Sequence, residues 1–206
     1  MFEKIYENRL WGRSPTAARY FSGSGSLPEM TGGYESFIVD LIEQRKGIHT
    51  LVDLGCGDFQ VAARILDQCT RSIEYIGCDI AQNLIAYNEE KFVRSGVKFQ
   101  CLDMTRDALP PGDLVTIREV LQHLSNKLVL VALKNVRLQY ATAVITEATM
   151  LRPSAVNLDI EAGPGTRDQL NSGLYLDQPP FDLPVVARYE FPCSQTEAYR
   201  TVVIEF

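Results

Sequence analysis

"LVDLGCGDFQ", residues 51–60, is an apolar run that stops in two glycines and an acid. A glycine pair directly after a strand lets backbone approach a nucleotide, and at least two cofactor classes use such a turn. Outward from it, strand-like runs alternate with segments of helical period. The runs are "TLVDLG" (50–55), "EYIGCDI" (74–80), "VKFQCLD" (97–103), "DLVTIRE" (113–119) and "ATAVITEA" (141–148). Between them Val61, Ile65 and Leu66 share one helical face. Ala81, Leu84, Ile85, Asn88 and Phe92 share a second, and Ser125 is placed to cap a third helix through Leu128, Ala132, Leu133 and Val136. The alternation predicts a parallel sheet covered on both faces, an α/β doubly wound, Rossmann-like architecture.

Either side of this region the pattern changes. Residues 157–184, "NLDIEAGPGTRDQLNSGLYLDQPPFDLP", are rich in Gly and Pro, without sustained period and too long for a mere connector. Two β-rich runs follow, "VVARYEF" (185–191) and "YRTVVIEF" (199–206), close enough for an antiparallel pair. At the other end, the Gly- and Ser-rich stretch 13–33 reads as a flexible arm, followed by an amphipathic helix from about Tyr34 to Arg45 with Phe37, Ile38, Leu41 and Ile42 on one face. One domain over 1–206 is expected: an arm or lid (1–33), a core (34–150), a substrate loop (151–184) and a terminal strand pair (185–206).

The chain has 206 residues, 46% of them apolar and 22% charged, with net charge −6. An acidic chain lacks the basic face by which proteins grip phosphate backbones, so a small-molecule partner is expected and nucleic acid is not. No apolar run approaches the length of a membrane span, and "MFEKIYENRL" carries charge where a signal peptide needs an apolar core, so the expected location is cytoplasmic. The five cysteines (56, 69, 78, 101 and 193) form no CxxC pair and read as reduced thiols acting as small hydrophobes. With only His49 and His123 as imidazoles, no metal site is expected.

A dinucleotide turn wants G-x-G-x-x-G or A. Gly55 and Gly57 supply two glycines, but the third position is Gln60. Asp79, ending the second strand, is placed to accept hydrogen bonds from ribose hydroxyls, which nicotinamide and S-adenosylmethionine (SAM) enzymes both require. Asp103, ending the third strand in "FQCLDM", discriminates: its carboxylate is placed to accept from an adenine amino group while Met104 packs on the ring. Together these runs resemble the class I SAM-dependent methyltransferases, "LVDLGCG" their glycine motif, "YIGCDI" their ribose motif, "FQCLDM" their adenine motif and "GDLVTIREVLQHLS" (112–125) their fourth motif.

That resemblance implies a seven-stranded sheet, mostly parallel with a reversed terminal strand, and SAM as cofactor. It places Gly55 and Gly57 at the methionine part of SAM, has Asp53 order the turn, Asp79 with Ile80 hold the ribose, and Asp103 with Met104 frame the adenine, with Arg118 a further cofactor contact. The family often carries a third glycine where this chain has Phe59, after Asp58; the "CGDF" turn resembles a subset acting on small or sugar-like acceptors. Amino-methyltransferases of nucleic acids and glutamine carry N/D-P-P-Y/F after the fourth strand, whereas this chain has "IREVLQ"; "QPPF" (178–181) lies too late. The expected reaction is therefore methyl transfer to a small polar acceptor, with a hydroxyl as the expected nucleophile and His123 as the proton acceptor. Trp11, Glu119, Asp159, Arg167 and Tyr175 are the substrate-contact candidates. A small-molecule N-methyltransferase, a SAM-binding protein without catalysis and a nicotinamide oxidoreductase stand as alternatives, and the oligomeric state is open.

Overall fold

The computed structural model describes residues 1–16 and 18–206; the part of the expected arm at Ala17 lies outside the described residues. Its compact units are Met1–Asp103 and Met104–Phe206.

The first unit holds helices α1 (Phe2–Glu7), α2 (Pro28–Gln44), α3 (Gln60–Gln68) and α4 (Gln82–Lys91), and strands β1 (Thr50–Leu54), β2 (Glu74–Asp79) and β3 (Val97–Cys101). Helix α1 lies ahead of the stretch 13–33 expected to be flexible, within the arm expected over 1–33, and α2 begins six residues earlier than its apolar face suggested. Pro28 explains that start, because its fixed φ and missing N–H suit the first helical turn. The three strands are parallel, with Leu54 opposite Cys78 and Asp79 opposite Cys101, so their carboxyl ends lie level. Level ends set the turn after β1 beside Asp79, where open α/β sheets bind ligands.

Phe59 has φ +64°, the left-handed region, at the N-cap of α3. A bulky residue there costs roughly 1–2 kcal/mol. Packing offsets the strain: the ring is 2% exposed and lies 5.0–5.2 Å, centroid to centroid, from Tyr75, Phe92 and Phe99.

The second unit holds β4 (Leu114–Arg118), a 3-10 turn (Leu121–His123), α5 (Asn126–Gln139), β5 (Thr142–Met150), a second 3-10 turn (Arg167–Leu170), β6 (Val185–Pro192) and β7 (Glu197–Glu205). Ser125 caps α5, its hydroxyl accepting from the Leu128 N–H. The sheet has seven strands in the order β3-β2-β1-β4-β5-β7-β6. β7 is the reversed strand, antiparallel to β5 along nine paired residues and to β6. The expected Rossmann-like architecture with a reversed terminal strand is therefore present. The cysteines are all free; Cys78 is buried as expected of a small hydrophobe, but Cys101 is exposed because β3 is an edge strand. No helix among the described residues is long and apolar enough to cross a membrane.

Candidate functional site

In the first unit the turn after β1 is pinned from three sides. The N–H groups of Gly55 and Cys56 both donate to the Cys78 carbonyl, at 2.7 and 2.9 Å. The Gly57 N–H donates to Asp79 Oδ2 at 3.2 Å, and the Gly57 carbonyl accepts from Asn88 Nδ2 at 2.8 Å. Gly55 and Gly57 adopt φ +87° and +55°, conformations that exclude most side chains. At Gly57 a Cβ would also overlap Ser22 and approach the Tyr6 hydroxyl. Asn88 stood among apolar residues on its helix face, the one signal by which this latch was visible beforehand.

Asp79 is 8% exposed, and its Oδ1 accepts from the Ala81 N–H at 3.0 Å. Burial pushes its pKa up to about 6, against backbone N–H groups of Ala81, Gly57 and Ile80 that favour the charged form. Gly57 and Ala81 each donate to one oxygen and Ile80 adds a third backbone donor, so of the carboxylate's roughly four acceptor sites one stays open for a ribose hydroxyl. Asp53, half-buried on β1, accepts from the Tyr75 hydroxyl at 2.9 Å. Ile80 is 41% exposed, and Asp103 is half-buried just beyond β3.

The N-terminal segment lies on this turn. Ser22 and Asp58 bond reciprocally, the Ser22 N–H donating to Asp58 Oδ2 at 3.3 Å and the Asp58 N–H to Ser22 Oγ at 2.8 Å. Tyr6 also bonds the Ser22 side chain, and burial raises its hydroxyl pKa. Trp11 packs edge-on against Tyr6 at 5.0 Å and beside Phe2 at 6.4 Å, in an aromatic cluster over α4 that includes Tyr20 and Tyr87. Nothing in "SGSGS" marked Ser22, and Asp58 stood out only as a departure from the glycine pattern.

In the second unit, Arg118 ends β4 with its guanidinium 5.1 Å over the Tyr199 ring. Glu119 follows at φ +58°, its N–H donating to the Thr146 carbonyl at 2.8 Å. Glu119 Oε1 is buried with no hydrogen-bond partner among the described residues. Glu147 on β5 accepts three backbone N–H groups, from Val120, Leu121 and Gln122, at 3.3, 2.8 and 3.1 Å. Burial raises both carboxyls; the Glu119 charge raises Glu147 further, while Arg118 and hydrogen bonds from the Gln122 side chain and the Ala148 N–H hold Glu119 back, so together they hold on to a proton towards neutral pH.

The other expected residues have structural partners. His123 is 8% exposed, its Nδ1 within 3.2 Å of the Gly165 carbonyl, and burial lowers its pKa. Arg167 is 1% exposed and donates to the carbonyls of Leu158, Leu121, Gln122 and Leu124 and to Asn126 Oδ1, which engages all five of its N–H groups. Asp159 Oδ1 accepts the Asn126 N–H at 2.7 Å, at the start of α5. The Tyr175 hydroxyl donates to the Met150 carbonyl at 2.6 Å, and its ring lies 5.1 Å from the Arg200 guanidinium. Met104 is half-buried, its carbonyl accepting from Asn135.

Residues 52–140, which include the glycine turn, Asp79 and Asp103, match the family described as a methyltransferase domain. Residues 52–140 thus carry a methyltransferase domain, and the fold around them is that of the class I SAM-dependent methyltransferases. SAM is the cofactor such a domain uses, and the residues present fit that group: two glycines in the left-handed region beside a buried carboxylate with acceptor capacity left. Solved structures share the fold. The N-methyltransferase NodS from Bradyrhizobium japonicum WM9, in complex with S-adenosyl-L-homocysteine (SAH), superposes with TM-score 0.63 at 14% identity, over 97% of this chain and 98% of that one. Human N-acetylserotonin methyltransferase with SAM gives 0.60 at 12%, over 86% of this chain, which spans only 52% of that one. The [4+2]-cyclase SpnF gives 0.58 at 15%, over 82% and 80%. No curated protein matches the chain by sequence.

Proposed function

We propose that this protein transfers the methyl group of SAM to a small polar acceptor, a hydroxyl of a sugar-like or natural-product molecule. The observation that carries the reading is Asp79: a buried carboxylate at a strand end, bonded to the glycine turn it faces, with acceptor capacity left for a ribose hydroxyl. SAM supplies an electrophilic methyl group whose transfer disperses positive charge, so the protein's part is to align the partners and, for a hydroxyl, to take its proton.

On this reading Asp79 and Ile80 hold the ribose, Gly55 and Gly57 admit the methionine part, Asp53 keeps Tyr75 and the turn in place, and Asp103 accepts from the adenine amino group. Met104 and Arg118 are proposed as further cofactor contacts. For the proton, Glu119 has a stronger claim than His123. Its Oε1 is buried without a partner, whereas His123 faces a loop carbonyl. Arg167, Asp159 and Tyr175 become positioning residues, since Arg167 turns its donors onto backbone carbonyls and Asn126, Asp159 Oδ1 accepts backbone N–H groups, and the Tyr175 hydroxyl donates to backbone. An amine acceptor is the second reading, favoured by the near-complete superposition on an N-methyltransferase.

The test is a thermal-shift comparison of SAM, SAH and NAD, followed by transfer of labelled methyl from SAM to a panel of sugars, phenols and amines. A specific ligand at 100 times its Kd stabilises by roughly 2.7 kcal/mol. Stabilisation by SAM and SAH but not NAD, and label on a hydroxyl, is the expected result; label on nitrogen selects the amine, and SAH binding without transfer to any acceptor overturns the enzymatic reading.

A further inference from the structure

The N-terminal segment of the first unit encloses a second concavity, separate from the carboxylate end of β2. It has a volume of about 220 Å³ and is lined by Tyr6, Arg9, Arg13, Ser14, Arg19 and Phe21, with the backbone of Gly12 and Ala18. Three arginines and a serine line it, the Arg19 guanidinium lying over the neighbouring Tyr20 ring, and among the described residues no acid lines it. In a chain of net charge −6 such a concentration of one sign is unexpected, and it is not neutralised from the same segment. The acids of α1 are turned away: Glu3 accepts the Asn83 N–H and Glu7 the Asn83 side chain, both at the start of α4.

The backbone bears on the same point. Arg9 follows the C-cap of α1 with φ +54°, its N–H donating to the Tyr6 carbonyl and that of Leu10 to the Ile5 carbonyl. This position is ordinarily Gly or Asn, because other side chains are strained there. An arginine at that position is dispensable for the turn and useful only for what its side chain reaches. Gly12, at φ +103°, then lets the chain reverse against Phe21 and bring Arg13 and Ser14 to the same rim. Tyr6 connects this cavity to the cofactor turn: one side of the residue lines it, and its hydroxyl bonds Ser22 beside Gly57.

We propose that this arginine-lined cavity binds the anionic group, a phosphate or a carboxylate, of the methyl acceptor. The proposal rests on the methyltransferase reading and narrows its substrate class from polar to anionic. Guanidiniums suit the task because their planar donor pairs match carboxylate and phosphate oxygens. The Phe21 and Tyr6 rings would hold the apolar face of the molecule that bears the charge.

Calorimetry on the full chain saturated with SAH tests it, using glucose 6-phosphate, glucuronate and methyl glucoside as probes, with SAH affinity measured separately for each protein. At low salt, at least one anionic probe is expected to bind about tenfold or more tightly than the neutral one, and Arg9→Gln and Arg13→Gln each to weaken it by about tenfold. Arg13→Lys should recover part of the loss, and SAH affinity should be unchanged throughout. Which anionic probe binds tells phosphate from carboxylate. Equal binding of charged and neutral probes, no binding of any probe to SAH-loaded protein, or undiminished binding by both Gln variants overturns the proposal alone. Failure of SAH itself to bind the parent chain overturns the methyltransferase reading on which it rests.

Discussion

Asp79 concentrates two of the chain's opposing demands in one carboxylate: it latches the glycine turn and must remain an acceptor for a ligand. Asp79→Ala should weaken SAH binding by the loss of hydrogen bonds to a charged group, about 1.5–3 kcal/mol; calorimetry showing parent-like affinity would remove Asp79 from the ribose site. The pH dependence has a definite sign. Its folded pKa, raised to about 6, lies above the usual carboxylate range, so ionising it weighs on the empty fold as pH rises towards 6 and a bound diol relieves that cost. SAH affinity should therefore be level above about pH 6 and fall roughly tenfold per unit below it, measured by titration from pH 7.5 to 4.5. Affinity that does not change over that range would mean that the carboxylate is not an acceptor for the ligand. Phe59 gives an independent check of backbone strain. Because its φ is +64°, Phe59→Gly should be more stable than Phe59→Ala by roughly 1 kcal/mol, the reverse of the usual order, with both below the parent through loss of the aromatic cluster. Urea denaturation ranks the three. At this scale Asp53, Asp79 and Asp103 were legible because strand ends are legible. Tyr6, Ser22 and Glu147 were not, because their roles arise from contacts between residues far apart in sequence, 25 to 27 positions for Glu147 and 36 for Ser22, which no local pattern encodes.

Among the elements, the 3-10 turn Leu121–His123 is held at both ends by opposite charges, its N–H groups on Glu147 and its carbonyls on Arg167. Arg167 came into consideration as a loop charge for substrate, and loop composition alone favours that reading. Five backbone and amide acceptors arranged around one guanidinium can be seen only once the loop is folded back on the turn. Arg167→Met should cost about 3–5 kcal/mol, since it strands buried carbonyls and leaves Glu147 facing fewer positive groups; a loss under about 1 kcal/mol in urea would show that the guanidinium is not structural. For the N-terminal segment, the Ser22–Asp58 pair and the Trp11 cluster lead to the expectation that it closes on the bound cofactor and helps exclude water. Hydrogen exchange over residues 10–30 should slow when SAH is added, and unchanged protection there would exclude closure. The amphipathic face of α2 was readable from Phe37 onward, whereas its first turn was hidden by the polar residues between Pro28 and Gly33.

Across the whole molecule, the run of strand-like and helix-period segments was enough to read the sheet, because helices stand between β1 and β2, β2 and β3, and β4 and β5; between β3 and β4 there is none, and β3 was legible by alternation instead. The reversal was expected only from the resemblance, and the strand order required it to be seen: β7 sits inside β6, between it and β5. That placement bears on how the second unit is made. β6 pairs only with β7, and β7 reaches back to β5 across the long Gly- and Pro-rich segment. During synthesis on a ribosome, β6 emerges with no strand to join, and β5 waits with an open edge until the nine residues of β7 arrive. Assembly from this side therefore depends on the most distant pairing in the unit, and distant pairings form slowly. In that interval β5 and β6 are both exposed edges, the interval in which a chaperone would have the most to protect.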